Sequence, residues 1–240
     1  MNISNVFIVE VRKLLKNKLL YGGILLSILF AAALTYAIKF RGGPFTIRAI
    51  SGFYGIGATL AIAIFCTKMY LDDLASGTIS LFFSSKKSRI SYLVGKVLAA
   101  VFLGLLFGVI CSIVMMSASY FLGWNIKPLS YIILPILIYI LFSVFYMLLF
   151  FLIGIFQRKP TTIISLAIVF ILAIPVLLDN IARYDRMPDV IKQIINNFPI
   201  MYLIQGTKFL QLSFLKVIIS IISVIVLFIS NYYFITRKDY

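Results

Sequence analysis

Six apolar runs of about twenty residues or more occupy most of this 240-residue chain. They fall at residues 19–38, 50–70, 92–122, 131–156, 161–178 and 213–235. A helix needs about 20 such residues to cross the hydrocarbon core. In lipid every backbone N–H and C=O must be satisfied within the structure, which leaves only helices and closed barrels. The ten-residue alternation of a membrane barrel is absent. The runs therefore predict an all-α integral membrane protein, one domain over residues 1–240 with six transmembrane helices. Composition agrees: 62% of the residues are hydrophobic and 12% charged, against roughly half and a quarter in soluble domains.

The segments between the runs are not uniform. In residues 2–18, Ile3, Val6, Phe7, Val11, Leu14 and Leu15 recur at helical spacing. Glu10, Arg12, Lys13, Lys16 and Lys18 supply a polar face, so this piece predicts a helix lying in the membrane interface; a plain basic flank is the alternative. The first apolar run outlasts a signal-peptide core, so no cleavable signal is expected. Gly42, Gly43 and Pro44 break that run. Residues 179–212 form a long interruption. Val190, Ile191, Ile194 and Ile195 share a helical face, Phe198-Pro199 ends that piece, and 200–212 are too short to cross. An interfacial or re-entrant helical hairpin before the sixth span is the expectation.

Six spans put both termini on one side, and the larger share of the 22 basic residues falls there. The positive-inside rule then predicts cytoplasmic N- and C-termini. Lys39, Arg41 and Arg48 argue the other way. The net charge of +15 lies beside the spans, where topology and anionic lipid account for it without nucleic acid.

The chain contains no histidine, which disfavours haem, His-ligated metals and most nucleophile–base catalysis. Cys66 and Cys111 lie within spans and are expected to pack. No Gly-rich loop precedes Gly-Lys-Ser/Thr, so no ATP cradle is visible. The acids Glu10, Asp72, Asp73, Asp179, Asp185, Asp189 and Asp239 all lie at or beyond span ends. A proton- or sodium-coupled carrier needs polar groups near the midplane, so the driving force is expected from outside the chain. Gly55, Thr59 and Ala63, and Gly104, Gly108 and Ser112, make small-residue stripes. Such stripes suit close helix packing within one subunit or a dimer seam. Pro175 is expected to kink the end of the fifth span. Phe142, Phe145, Tyr146, Phe150 and Phe151 fit bundle core or lipid face better than a substrate path.

The longest polar interruption of the first half joins spans two and three, at residues 72–96. Asp73 precedes Gly77-Thr78; Ile79, Leu81, Phe82 and Phe83 follow; then come Lys86, Lys87, Arg89 and Gly95-Lys96. This order resembles the membrane subunits of ABC-2 type transporters. That family shows an acid, Gly-Thr, a short apolar helix, Pro-x-x-Arg, and Gly-Lys or Ala-Lys opening the third span. Asp73 stands here where Glu is commoner, and Lys86 where Pro is usual. Glu10-x-x-Lys13 is similar to the family's elbow helix. Phe198-Pro199 with Tyr202 is similar to its extracytoplasmic half-helices, and Phe234-x-x-Arg237-Lys238-Asp239 to its closing motif.

The resemblance implies the permease subunit of an exporter in the plasma membrane. It would pair with an identical or homologous permease and with separate ABC ATPase subunits that carry ATP and magnesium. The chain itself would be no enzyme. Asp73, Gly77, Thr78, Ile79, Leu81, Phe82 and Phe83 would form a cytoplasmic coupling helix at the ATPase interface, and Glu10 and Lys13 would belong to the elbow. The residues alone agree in kind, because apolar side chains exposed on a loop need a partner surface. The apolar character of the spans favours a hydrophobic or amphipathic substrate, whose contact residues are not legible. A polytopic accessory or immunity-type protein that binds a membrane partner and transports nothing is the alternative.

Overall fold

The computed structural model describes residues 2–43, 45–75, 86–124, 128–157, 159–184 and 187–237. Among the described residues it contains nine helices and no strands. Six are long and apolar enough to span a membrane: α2 (Lys18–Arg41), α3 (Ile47–Ala75), α4 (Lys86–Leu122), α5 (Pro128–Phe156), α6 (Pro160–Ala182) and α9 (Phe214–Arg237). The protein is therefore a multi-pass membrane protein. The remaining three helices are short: α1 (Ile3–Lys16), α7 (Asp189–Asn196) and α8 (Pro199–Phe209).

Local chemistry sets the corners. Asn17 leaves helical geometry at ψ 113° and its side chain accepts from Leu19 N–H, while its own N–H returns to Leu14 C=O. One residue thus closes α1 and caps α2. The far end of α2 stops at Gly42, whose φ of 69° is open to glycine at little cost and whose N–H bonds Ile38 C=O. Lys39, one of the cations that run against the charge rule, donates to Phe121 C=O at 3.1 Å. It neutralises the carbonyl end of α4, a local use for a cation on that side.

The central helices are α3 and α5, and α6 and α9 leave most of their surface bare, as lipid-facing helices do. Phe142, Phe145, Tyr146, Phe150 and Phe151 are all core. Hydroxyl and thiol groups cross between helices to carbonyls: Ser143 to Ala100 at 2.8 Å, Tyr54 to Phe107 at 3.0 Å, Tyr70 to Gly154 at 2.9 Å and Cys66 to Ser143 at 3.4 Å. Both small-residue stripes pack inside the subunit. A Cβ at Gly108 would lie 2.6 Å from Ile136 Cα, and one at Gly104 would strike Ser143 and the Tyr139 carbonyl. The backbones of α4 and α5 touch there because no side chain intervenes. Gly55 meets Thr207 of α8, and Thr59 and Ala63 are buried.

Three expected boundaries move. α3 continues past residue 70 to Ala75, and α4 begins at Lys86 rather than 92. Hydropathy stops where polar residues start, but two of these polar residues, Asp73 and Arg89, find partners inside the protein, as described below. α6 runs through Pro175 to Ala182 instead of ending near 178. Proline costs that helix one backbone donor, and neighbouring helices in a membrane bundle tolerate the loss.

α7 and α8 form the hairpin before the last span. Tyr146, past the midpoint of α5, reaches the Ile200 carbonyl at the start of α8, and Ser51 near the start of α3 donates to Thr207 C=O near its end. α8 thus lies within the depth of the bundle.

The stripe makes a direct stability test. Gly108→Val is expected to lower unfolding free energy in detergent by about 1–3 kcal/mol through overpacking against α5. Gly22→Ala, where no atom lies within 4 Å of the added carbon, should be neutral or stabilise by up to about 1 kcal/mol. Thermal unfolding of the two variants side by side reads the difference.

Candidate functional site

α1 buries Val6, Glu10 and Leu14, one turn apart on a single face. Glu10 therefore sits in the middle of the apolar stripe, not on the polar face where its charge alone would place it. A carboxylate in that position needs a cation at the same depth. α4 supplies it. Gly95 lets Val6 come against the helix, since a Cβ there would lie 2.6 Å from Val6 Cβ. The next residue, Lys96, is fully buried, at 0% exposure.

Lys96 Nζ lies 2.8 Å from Glu10 Oε2 and 2.5 Å from Asp73 Oδ2, and it also donates to the Met69 carbonyl. The three hydrogens of the ammonium thus meet three acceptors. Asp73, at 1% exposure in the last turn of α3, receives Lys13 Nζ on Oδ1 at 2.8 Å and the Tyr92 hydroxyl on Oδ2 at 2.8 Å. Lys13 closes the figure on Glu10 Oε1 at 3.1 Å. The result is a ring of alternating sign, Lys13–Glu10–Lys96–Asp73, with no net charge and every carboxylate oxygen engaged. It joins α1 to the end of α3 and the first third of α4.

Taking such charges out of water costs several kcal/mol per ion, and only a closed set of partners offsets it. The ring therefore specifies one geometry more than it adds stability. Lys13 is half-exposed. Burial opposes its charge, but the hydrogen bond to Asp73 and the charges of Glu10 and Asp73 outweigh burial and raise its pKa above the ordinary 10.5. Its share of stability is complete at neutral pH and is lost only as pH rises through that elevated value.

A second fastening lies nearby. Arg89, in the first turn of α4, donates from Nη1 to the carbonyls of Ile235 (2.8 Å) and Thr236 (3.1 Å). These are the last carbonyls of α9, which otherwise lack partners and carry the negative end of the helix dipole. Phe156 packs edge-on against Phe234 at 5.0 Å beside it. The ends of α1, α3, α5 and α9 and the start of α4 thus gather on one face. Helix α1 and the end of α9 belong to that face, and so do the two roots of the connection between α3 and α4.

Of the residues singled out in the sequence, Glu10, Lys13 and Asp73 come together. Gly77, Thr78, Ile79, Leu81, Phe82 and Phe83 lie outside the described residues. Lys96, noted only as the opening of a span, is the hub, and Tyr92 and the Arg89 contact with α9 are additions of the structure. Two signals pointed this way: a lone cation inside an apolar run, and an acid spaced four residues from Val6 and from Leu14. Among the described residues no three His, Cys, Asp or Glu side chains gather as a metal site. Both carboxylates here are held by lysines, so the arrangement suits a mechanical joint.

No protein-family model matches the chain, and no curated protein matches it.

The ring predicts unequal costs. Lys96→Met leaves the buried carboxylates of Glu10 and Asp73 with only the half-exposed Lys13 between them and should destabilise by about 3–5 kcal/mol, and Asp73→Ala, which removes one of the two carboxylates paired with Lys96, should do the same. Lys13→Gln, at a half-exposed position that can still donate hydrogen bonds, should cost less than about 1 kcal/mol. Denaturation in mild detergent gives the order, and equal losses for Lys13 and Lys96 would contradict the closed ring.

Proposed function

We propose that the chain is the membrane-spanning permease subunit of an ATP-driven ABC-2 type exporter, with its termini in the cytoplasm and a hydrophobic or amphipathic substrate. The observation that carries this reading is the joint itself. The connection between α3 and α4, where the Asp-x-x-x-Gly-Thr and Leu-Phe-Phe residues stand, leaves α3 beside Asp73 and re-enters α4 before Arg89. Its two roots are pinned to α1 and to α9 by the ion ring and the arginine cap.

A push on that connection has a rigid route into the bundle. Displacing the end of α3 moves Asp73, and with it Lys96 and Glu10. Displacing the start of α4 moves Arg89 and the end of α9. In this reading Ile79, Leu81, Phe82 and Phe83 meet the ATPase subunit. Asp73, buried by its own lysines, works by fixing the root of the coupling segment rather than by touching the partner. Gly77 and Thr78 belong to the same partner interface in this reading. The resemblance of the elbow, hairpin and closing segments supports the same assignment, with a second permease copy completing the pathway. The two buried carboxylates, Glu10 and Asp73, are neutralised within the protein, which fits a driving force supplied by ATP bound to a partner.

Affinity-tagged chain purified from its native host in mild detergent is expected to bring with it an ATPase bearing Gly-x-x-x-x-Gly-Lys-Ser/Thr. Replacing Phe82 and Phe83 by Asp should abolish that co-purification while membrane insertion and thermal stability stay unchanged. Purification of the wild-type chain without any ATPase would leave the accessory-protein reading in its place.

A further inference from the structure

On the face opposite the ion ring, α6 and α8 enclose a cavity of about 190 Å3. Its walls come from two stripes at helical spacing: Pro175, Val176, Asp179 and Arg183 on α6, and Met201, Ile204, Gln205, Lys208 and Phe209 on α8. The two helices run in the same direction here, so the stripes are graded alike. Pro175, Val176, Met201 and Ile204 make an apolar inner end. Asp179, Arg183, Gln205 and Lys208 make a polar outer end. Pro175, Met201 and Ile204 are buried, whereas Val176 and Phe209 are each 55% exposed at the rim. The cavity thus opens sideways, toward the bilayer.

Its charges do not cancel. Arg183 Nη2 pairs with Asp179 Oδ2 at 2.9 Å, and the Lys208 ammonium has no ion pair or side-chain hydrogen bond among the described residues. Among the described lining residues, two cations and one carboxylate leave the mouth positive by one charge. A cation held at the edge of the bilayer above an apolar slot is complementary to an anionic headgroup with an acyl chain beneath it. The volume is several times the roughly 30 Å3 share of one water, enough for part of a headgroup and the first methylenes of a chain.

We infer that the cavity between α6 and α8 is a binding site for an anionic phospholipid drawn from the surrounding leaflet, with Lys208 holding the headgroup phosphate and Val176, Met201 and Ile204 flanking the upper acyl chain. The site is separate from the ion ring, and the inference does not depend on the transport reading. It gives the hairpin α7–α8 a lipid ligand that wedges it against α6.

The chain has a single tryptophan, Trp124, which makes a clean optical test possible. Trp124→Phe combined with Val176→Trp places the only indole at the rim of the cavity. Trp124→Phe combined with Ile222→Trp places it on the exposed surface of α9 as a reference for bulk lipid. Both are reconstituted in phosphatidylcholine vesicles with brominated phosphatidylglycerol or brominated phosphatidylcholine. The rim probe should show a relative affinity for phosphatidylglycerol about fivefold above phosphatidylcholine, the worth of one lysine–headgroup contact. The reference probe should show no preference, and Lys208→Gln should erase the preference at the rim. Equal quenching by the two lipids at the rim would overturn the inference, as would a preference that survives Lys208→Gln. So would stronger quenching by a brominated free fatty acid than by phosphatidylglycerol. Native mass spectrometry of the chain without engineered tryptophans provides the second reading. Phosphatidylglycerol should stay bound to wild type and be lost from Lys208→Gln, and equal retention in both would count against the site.

Discussion

A lysine ammonium removed from water decides the form of one end of this protein. Lys96 is the one charged residue of α4 beyond Arg89, and its charge must be met by acceptors at the same depth. Glu10, Asp73 and the Met69 carbonyl meet it, and each of those comes with an element attached. Helix α1 is turned so that its one acid faces inward. The end of α3 is extended by more than a turn so that Asp73 arrives. Tyr92 and Lys13 then fill the oxygens that remain. Apolar contact alone would let α1 slide or rotate on the bundle, whereas the ring allows a single register.

The bundle is otherwise held by terms common to membrane proteins. Without a hydrophobic drive between helices in lipid, close backbone contact and interhelical hydrogen bonds carry the association. The α4–α5 seam shows both: Gly104 and Gly108 remove the spacing, and Ser143 and Ser112 donate across it. The same seam lies directly above the ion ring on α4. A rigid α4–α5 pair therefore extends from the charged joint into the interior, while α2, α6 and α9 are disposed around it with much of their surface left to lipid or to other chains.

Much of this was legible in the residues. The six runs became six long helices because hydropathy over about twenty residues leaves few other outcomes in a membrane. The hairpin was visible in the Phe198-Pro199 break and the shared face of Val190, Ile191, Ile194 and Ile195. Its depth was not, because that depends on Tyr146 and Ser51 from distant spans. The ends of α3 and α4 were misjudged for a physical reason: polar residues look like loop until their partners are known. Glu10 was assigned to the wrong face on the same ground, since only Lys96, far along the chain, makes an inward acid tolerable. The small-residue stripes suited either a subunit core or a dimer seam, and only the positions of Ile136, Tyr139 and Thr207 distinguish the two.

The arginine cap gives the two fastenings different birthdays. A nascent chain holds every member of the ion ring once α4 has left the ribosome, so α1, α3 and α4 can lock before the rest of the bundle is complete. Arg89 must wait for Ile235 and Thr236, 146 and 147 residues further along the chain. The root of the connection between α3 and α4 is thus secured on one side early and on the other only after α9 has been made. A prematurely terminated product would carry the first joint without the second, and so would present an unfinished surface to whatever docks on that face.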